Sequence, residues 1–119
     1  MLMTEMPIEG QPPVDAYGPG GFRVRETWHD GAVMITPEGG VVAMPDGFEA
    51  GLDRVMAEGA IDAVVLGQGP DIAPLPRALR ERLDATSIGY EHMATPAACR
   101  TYNVMLAEDR RVAALLLPI

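Results

Sequence analysis

Lysine is absent from this sequence of 119 residues, and all nine basic residues are arginine. Without a lysine amine the chain can build neither a Schiff base nor a Walker-type phosphate loop. Cysteine is almost as scarce. Cys99 alone forms neither an internal disulfide nor a zinc cluster, which fits a reducing compartment. The two histidines, His29 and His92, have no third nitrogen or sulfur ligand at metal spacing, so neither a metal nor a cofactor is expected. The longest apolar run, "VAALLLPI", is strand length and falls short of the ~18 residues that a membrane span needs. The start, "MLMTEMPIEG", has no basic region followed by an apolar stretch. No secretory signal is read there, and the cytoplasm is the expected compartment. Positive charge is also short: 17 acidic residues against nine basic ones give a net charge of −8. That balance disfavours nucleic acid and anionic membrane surfaces as partners.

What the chain does have is 48% apolar content in one domain's length. A single domain over 1–119 is expected, with residues 1–20, rich in proline and glycine, as an irregular lead-in. From Phe22 to Ala43 the text is strand-like: "FRVRETW", a turn at His29-Asp30-Gly31, "AVMIT", a turn at 37–40, then "VVAM". This predicts a small antiparallel meander. After Pro45 the period changes to helical. Phe48, Leu52, Val55 and Met56 form one stripe, with Asp46 as N-cap and Gly59 past the end. Gly51 inside that helix is a propensity cost. A strand over Ile61–Leu66 follows, then a helix on Leu75, Leu79 and Leu83, then a strand in "SIGYE". The last helix starts at Thr95 as N-cap and Pro96, with Ala98, Tyr102 and Leu106 as its stripe. The chain closes on the strand "RVAALLLP". The second half is therefore βαβαβ, and the expected fold is a three-layer α/β domain whose meander extends or caps a mixed sheet.

The stretch "LGQGPD" at 66–71 looks like a phosphate-binding turn, but it fails as one. Ile72 stands where the third glycine of a dinucleotide fingerprint belongs, Pro70 biases Gly69 toward extended backbone, and the next helix starts late. Gly67 and Gly69 read chiefly as a strand exit. In open α/β sheets, ligands sit outside the carboxyl ends of the parallel strands. Gly67, Gln68, Gly69, Glu91, His92 and Thr95 all fall at that end, so they are the candidate ligand cleft, with a helix N-terminus able to attract an anion. Glu91 has two readings: a buried general acid, or an ion pair with Arg100, Arg110 or Arg111. Cys99 reads as a half-buried helix residue. Thr101 and Asn103, mediocre helix formers in mid-helix, are expected to bond to adjacent loop backbone.

The C-terminal third carries a resemblance. In "SIGYEHMATPAACRTYNVMLAEDRRVAALLLP", the residues Ile88, Glu91, Met93, Thr95, Ala98, Thr101, Tyr102, Asn103, Glu108, Arg110, Ala113, Ala114 and Pro118 fall in order on a family pattern. The sequence resembles the small domain family of unknown biochemical activity that includes the mitochondrial respiratory complex I assembly factor 3. The resemblance covers roughly residues 20–118. Departures are small: Ser87 stands where glycine is usual, Gln68 where a small residue is common, and the final leucine run is one longer. With no mitochondrial presequence at its start, the chain looks like a bacterial or archaeal member. The resemblance implies a three-layer α/β fold around a mixed sheet, no established catalysis, and a protein partner drawn from assembly intermediates of a membrane-associated complex. It also implies that Thr101, Tyr102, Asn103, Glu108 and Arg110 form a structural motif. Two functions therefore stand as expectations. One is a non-enzymatic interaction or assembly-factor domain, with the meander and loops 67–75 and 91–95 as contact surface. The other is a small-molecule or anion-binding protein, or enzyme, using the Gly67–Thr95 cleft.

Overall fold

The computed structural model describes residues 10–119. The first half of the expected lead-in, residues 1–9, lies outside the described residues. Eight strands and three helices follow in order: β1 Ala16–Gly18, β2 Gly21–Val24, β3 Thr27–Asp30, β4 Val33–Thr36, β5 Gly40–Ala43, α1 Gly47–Glu58, β6 Ala63–Gln68, α2 Arg77–Asp84, β7 Gly89–Met93, α3 Thr95–Ala107 and β8 Val112–Leu117. They make an antiparallel three-stranded sheet, β1-β2-β3, and a mixed five-stranded sheet, β5-β4-β8-β6-β7. β6 runs parallel to β7 and β8, while β4 runs antiparallel to β5 and β8.

Strand alternation builds the layers. Val33 and Ile35, Ala63 and Val65, and Val112, Ala114 and Leu116 join one core cluster with Phe22, Val24 and the inner side of α3. Their neighbours Met34, Val64, Leu66, Ala113 and Leu115 face the other way, onto Leu52 and Val55 of α1 and Leu75, Leu79 and Leu83 at α2. The mixed sheet thus lies between α1 and α2 on one side and α3 with the small sheet on the other, the expected three-layer α/β arrangement. β8, covered on both faces, is the central strand, and each fully buried leucine there contributes about 1.5–3 kcal/mol.

The N-terminal half departs from the expected single meander. "FRVRETW" is two strands, because Arg25 and Glu26 both take left-handed backbone (φ 51° and 67°) and close a two-residue hairpin between β2 and β3. No glycine or asparagine marks that turn. His29 and Asp30, expected in a turn, end β3, and the chain changes sheets at Gly31 (φ 81°). The meander thus splits: β4 and β5 extend the mixed sheet, and β1–β3 cap its α3 side. The lead-in is irregular only in part, since Ala16–Gly18 pair with β2.

Helix details also shift. Asp46 sits at the N-cap of α1 but its side chain makes no capping bond, and Met56 is exposed, leaving Gly51, Leu52 and Val55 as the buried stripe. Gly51 also has a packing role, on the face of α1 that meets the sheet. A Cβ there would meet the Met44 sulfur at 2.8 Å and Leu115 at 3.2 Å, so α1 comes close to β8 because that side chain is missing.

Candidate functional site

The carboxyl end of β6 meets the start of α3 through Thr95, whose side chain is fully buried. Its hydroxyl donates to the Leu117 carbonyl of β8 at 2.6 Å and accepts from the Gly69 amide at 2.8 Å. The Thr95 amide in turn donates to the Gly69 carbonyl at 2.8 Å. Thr95 is therefore not the N-cap. It is the first helical residue, Ala94 holds the cap position, and the hydroxyl that would have capped the helix joins two strand ends instead. Gly67 faces the same point. A Cβ on it would meet Thr95 Oγ1 at 2.9 Å, Leu116 at 3.0 Å and Ala98 at 3.1 Å, so the glycine serves close helix–strand packing. Gly69 takes φ 87°, the left-handed backbone that turns the chain out of the strand. The helix N-terminus is largely used up: the Thr95 amide bonds Gly69, Pro96 has none, and the Ala98 amide bonds Ala94.

Gln68 and His92 form a second group on the opposite face of the sheet. The Gln68 side chain donates to the Ala73 carbonyl at 2.8 Å and accepts from the Ala73 amide at 3.3 Å. His92 Nδ1 lies 2.9 Å from the same Gln68 oxygen. Because that oxygen accepts, the imidazole carries its proton on Nδ1. The pair pins the loop over residues 69–75, which presents Ile72 to solvent.

The six expected cleft residues thus do not form one cleft. Gly67, Gly69 and Thr95 come together on the α3 face, and Gln68 and His92 come together on the α2 face. Glu91 stands apart. His92 is not in a loop but in β7, so it and Glu91 point to opposite faces of the strand. Both readings of Glu91 are corrected: it is exposed, and none of the ion pairs among the described residues includes it.

The Thr101–Asn103 run ties α3 to its surroundings. Tyr102 is fully buried and its hydroxyl donates to the Pro12 carbonyl at 2.6 Å. Asn103 accepts from the Val14 amide at 2.9 Å and donates to the Val14 carbonyl at 3.0 Å, pairing with the backbone as a neighbouring strand would. Thr101 does not reach loop backbone. Its hydroxyl donates to the Met93 sulfur of β7 at 3.4 Å. Glu108 and Arg110 are exposed past the end of α3. Sequence reasoning missed the receiving side, Gln11, Pro12 and Val14, where Gln11 also donates to the Val112 carbonyl at 2.6 Å. Only the Pro-Pro pair at 12–13, which favours extended backbone, could have signalled it.

Cys99 is buried in α3, and desolvation pushes its thiol up to about 11, against a smaller lowering by Arg100. Burial also raises the Tyr102 hydroxyl, with Gln11 and Arg25 opposing in part. Both groups ionise more readily in the unfolded chain, which then holds fewer protons than the native one. Stability is therefore expected to fall as pH rises from about 9 through 11, as urea unfolding at stepped pH would show. Iodoacetamide at pH 8 is expected to label Cys99 only in urea; rapid labelling of the native chain would contradict this burial.

Three comparisons bear on kinship. Residues 14–117 match the family described as "Protein of unknown function (DUF498/DUF598)". An uncharacterized protein of Rhodobacter capsulatus is 41% identical over 120 residues, covering all of this chain and 94% of that protein. Among solved structures, an outer membrane protein from Bartonella henselae is similar at 39% identity and a TM-score of 0.83, covering 92% of this chain and 96% of that one. A Bordetella pertussis protein with an Mth938-like domain is similar at 29% identity and a TM-score of 0.76, covering 99% and 92%. By sequence along nearly its whole length, and by the same mixed α/β fold, this chain belongs to the DUF498/DUF598 family of proteins of unknown function.

Proposed function

We propose that this domain is a cytoplasmic, non-enzymatic interaction module of the assembly-factor kind. Its partners on this reading are assembly intermediates of a membrane-associated complex, with respiratory complex I as the instance the sequence resemblance suggests. The observation that carries it is the filled end of β6. Where this fold would hold a small ligand, the Thr95 hydroxyl already satisfies Gly69 and Leu117, and Gly67 lies against α3. A ligand would have to break buried hydrogen bonds to reach the backbone there. Anchors for a macromolecule are present instead. Trp28, 47% exposed, lies across Gly21 with its indole N–H held by Asp30, and Ile72 and Val104 are exposed elsewhere on the surface. Oriented aromatic and aliphatic side chains of this sort carry interface energy. Among the described residues no helix is long and apolar enough to cross a membrane.

Capture of the endogenously expressed, tagged chain under mild lysis is expected to bring down a stable partner in near-equal amount. Recovery of the chain alone would overturn the reading. A second reading, small-molecule binding, rests on a different place from the expected cleft. A hollow of about 450 Å³ lies at the amino ends of β6 and β7, over Val55, Ile61 and Ile88, with Asp62, Thr86 and Ser87 at its rim. A thermal-shift screen against a metabolite panel tests it, since a ligand at ~100 times its Kd adds about 2.7 kcal/mol.

A further inference from the structure

We propose that the free edge of β7, with the groove between it and α3, receives an extended segment of a partner protein as an added strand. The inference rests on the interaction reading above and names its surface and the kind of partner.

β7 is one of the two outermost strands of the mixed sheet, at the opposite edge from β5, and among the described residues it pairs on one side only, with β6. The Gly89 amide donates to the Asp62 carbonyl, on the β6 side. Successive strand residues turn their amides and carbonyls to alternate sides, so Glu91 and Met93 also bond toward β6, and Tyr90 and His92 present theirs outward. Those outward groups select an extended backbone, because a helix has already satisfied its own.

The two faces of β7 differ. On the α2 face, Tyr90 is tied to Asp84 and His92 to Gln68. On the α3 face, two adjoining hollows of about 220 and 340 Å³ share Met105 and Arg110. The first includes Glu91, and the second includes Thr101 and Val104, the latter 58% exposed, with Arg100 and Glu108 of opposite charge at its margin. An incoming strand places every second side chain on this face, one opposite Glu91 and its neighbours over Met105 and toward Met93. Glu91 is exposed, Arg110 in the same hollow does not pair with it, and the chain carries a net −8. The residue opposite it is therefore basic and the flanking ones apolar, an apolar-x-basic-x-apolar segment. A second copy of this chain is disfavoured in the register that sets one Glu91 against another, since like charges directly opposite destabilise a sheet.

Selection of a phage-displayed nonapeptide library on the intact chain tests this. Enrichment of the apolar-x-basic-x-apolar pattern is expected. The selected peptide should slow hydrogen exchange at the Tyr90 and His92 amides and leave those of Glu91 and Met93 unchanged. E91R and V104E, both at exposed positions, should each weaken it about tenfold. A peptide with a carboxylate in place of its basic residue should regain binding to E91R. No enrichment, protection elsewhere, or peptides indifferent to both substitutions would overturn the proposal. A native partner whose capture survives E91R and V104E would refute this edge and leave the interaction reading standing. Peptide binding as described with no native partner would do the reverse.

Discussion

Replacing Tyr102 with alanine is expected to destabilise the fold by about 3–5 kcal/mol in urea unfolding, the range for truncating a buried aromatic. That is a large share of the ~5–15 kcal/mol that holds a typical domain folded. The ring is fully buried in the cluster that joins α3 to Phe22, Val65 and Ala114. Its hydroxyl holds the Pro12 carbonyl. Truncation leaves a cavity, an orphaned acceptor and a loosened segment over residues 10–15. Tyr102→Phe separates the contributions, because it keeps the packing and removes the one hydrogen bond, for about 1 kcal/mol. Hydrogen exchange at the Val14 amide, held by Asn103, should accelerate in the alanine variant. A loss no larger than that of a surface substitution, within about 0.5 kcal/mol, would show that the segment does not depend on this anchor.

Thr95→Val is expected to cost about 2–4 kcal/mol, although the side chain keeps nearly the same shape. The change strands a buried donor at Gly69 and an acceptor at Leu117, both satisfied by the one hydroxyl. Thr95→Ser, which keeps the hydroxyl, should recover most of the loss. If valine were tolerated as well as serine, the hydroxyl bridge would not be what joins β6, β8 and α3. The comparison also bears on function, because the bridge is what fills the strand-end cleft.

The layers were legible where one physical signal decided them. The switch from strand-like text to a helical stripe after Pro45, the leucines at 75, 79 and 83, and the continuous run of β8 all follow from burial on a fixed period, which local sequence records directly. The β2–β3 hairpin was not, since its left-handed residues are Arg25 and Glu26, and neither advertises a turn. Position along the chain brings Gly67, Gln68, Gly69 and Thr95 to the strand ends, as the structure has them. It could not decide direction. A shift of β7 toward His92 and Met93 put Glu91 and His92 on opposite faces, since side chains in a strand alternate.

The sequence alone determined the α/β class, the single domain's length, the family pattern of the C-terminal third, and the absence of lysine chemistry. Only the tertiary structure decided what the polar residues of that pattern do. Thr95 bridges two strands, Asn103 grips Val14, and Tyr102 anchors Pro12, each across a sequence separation of 22 to 90 residues. Local propensity is set by neighbours in the chain, whereas a buried hydroxyl or amide takes whatever partner the packed core brings within hydrogen-bond reach.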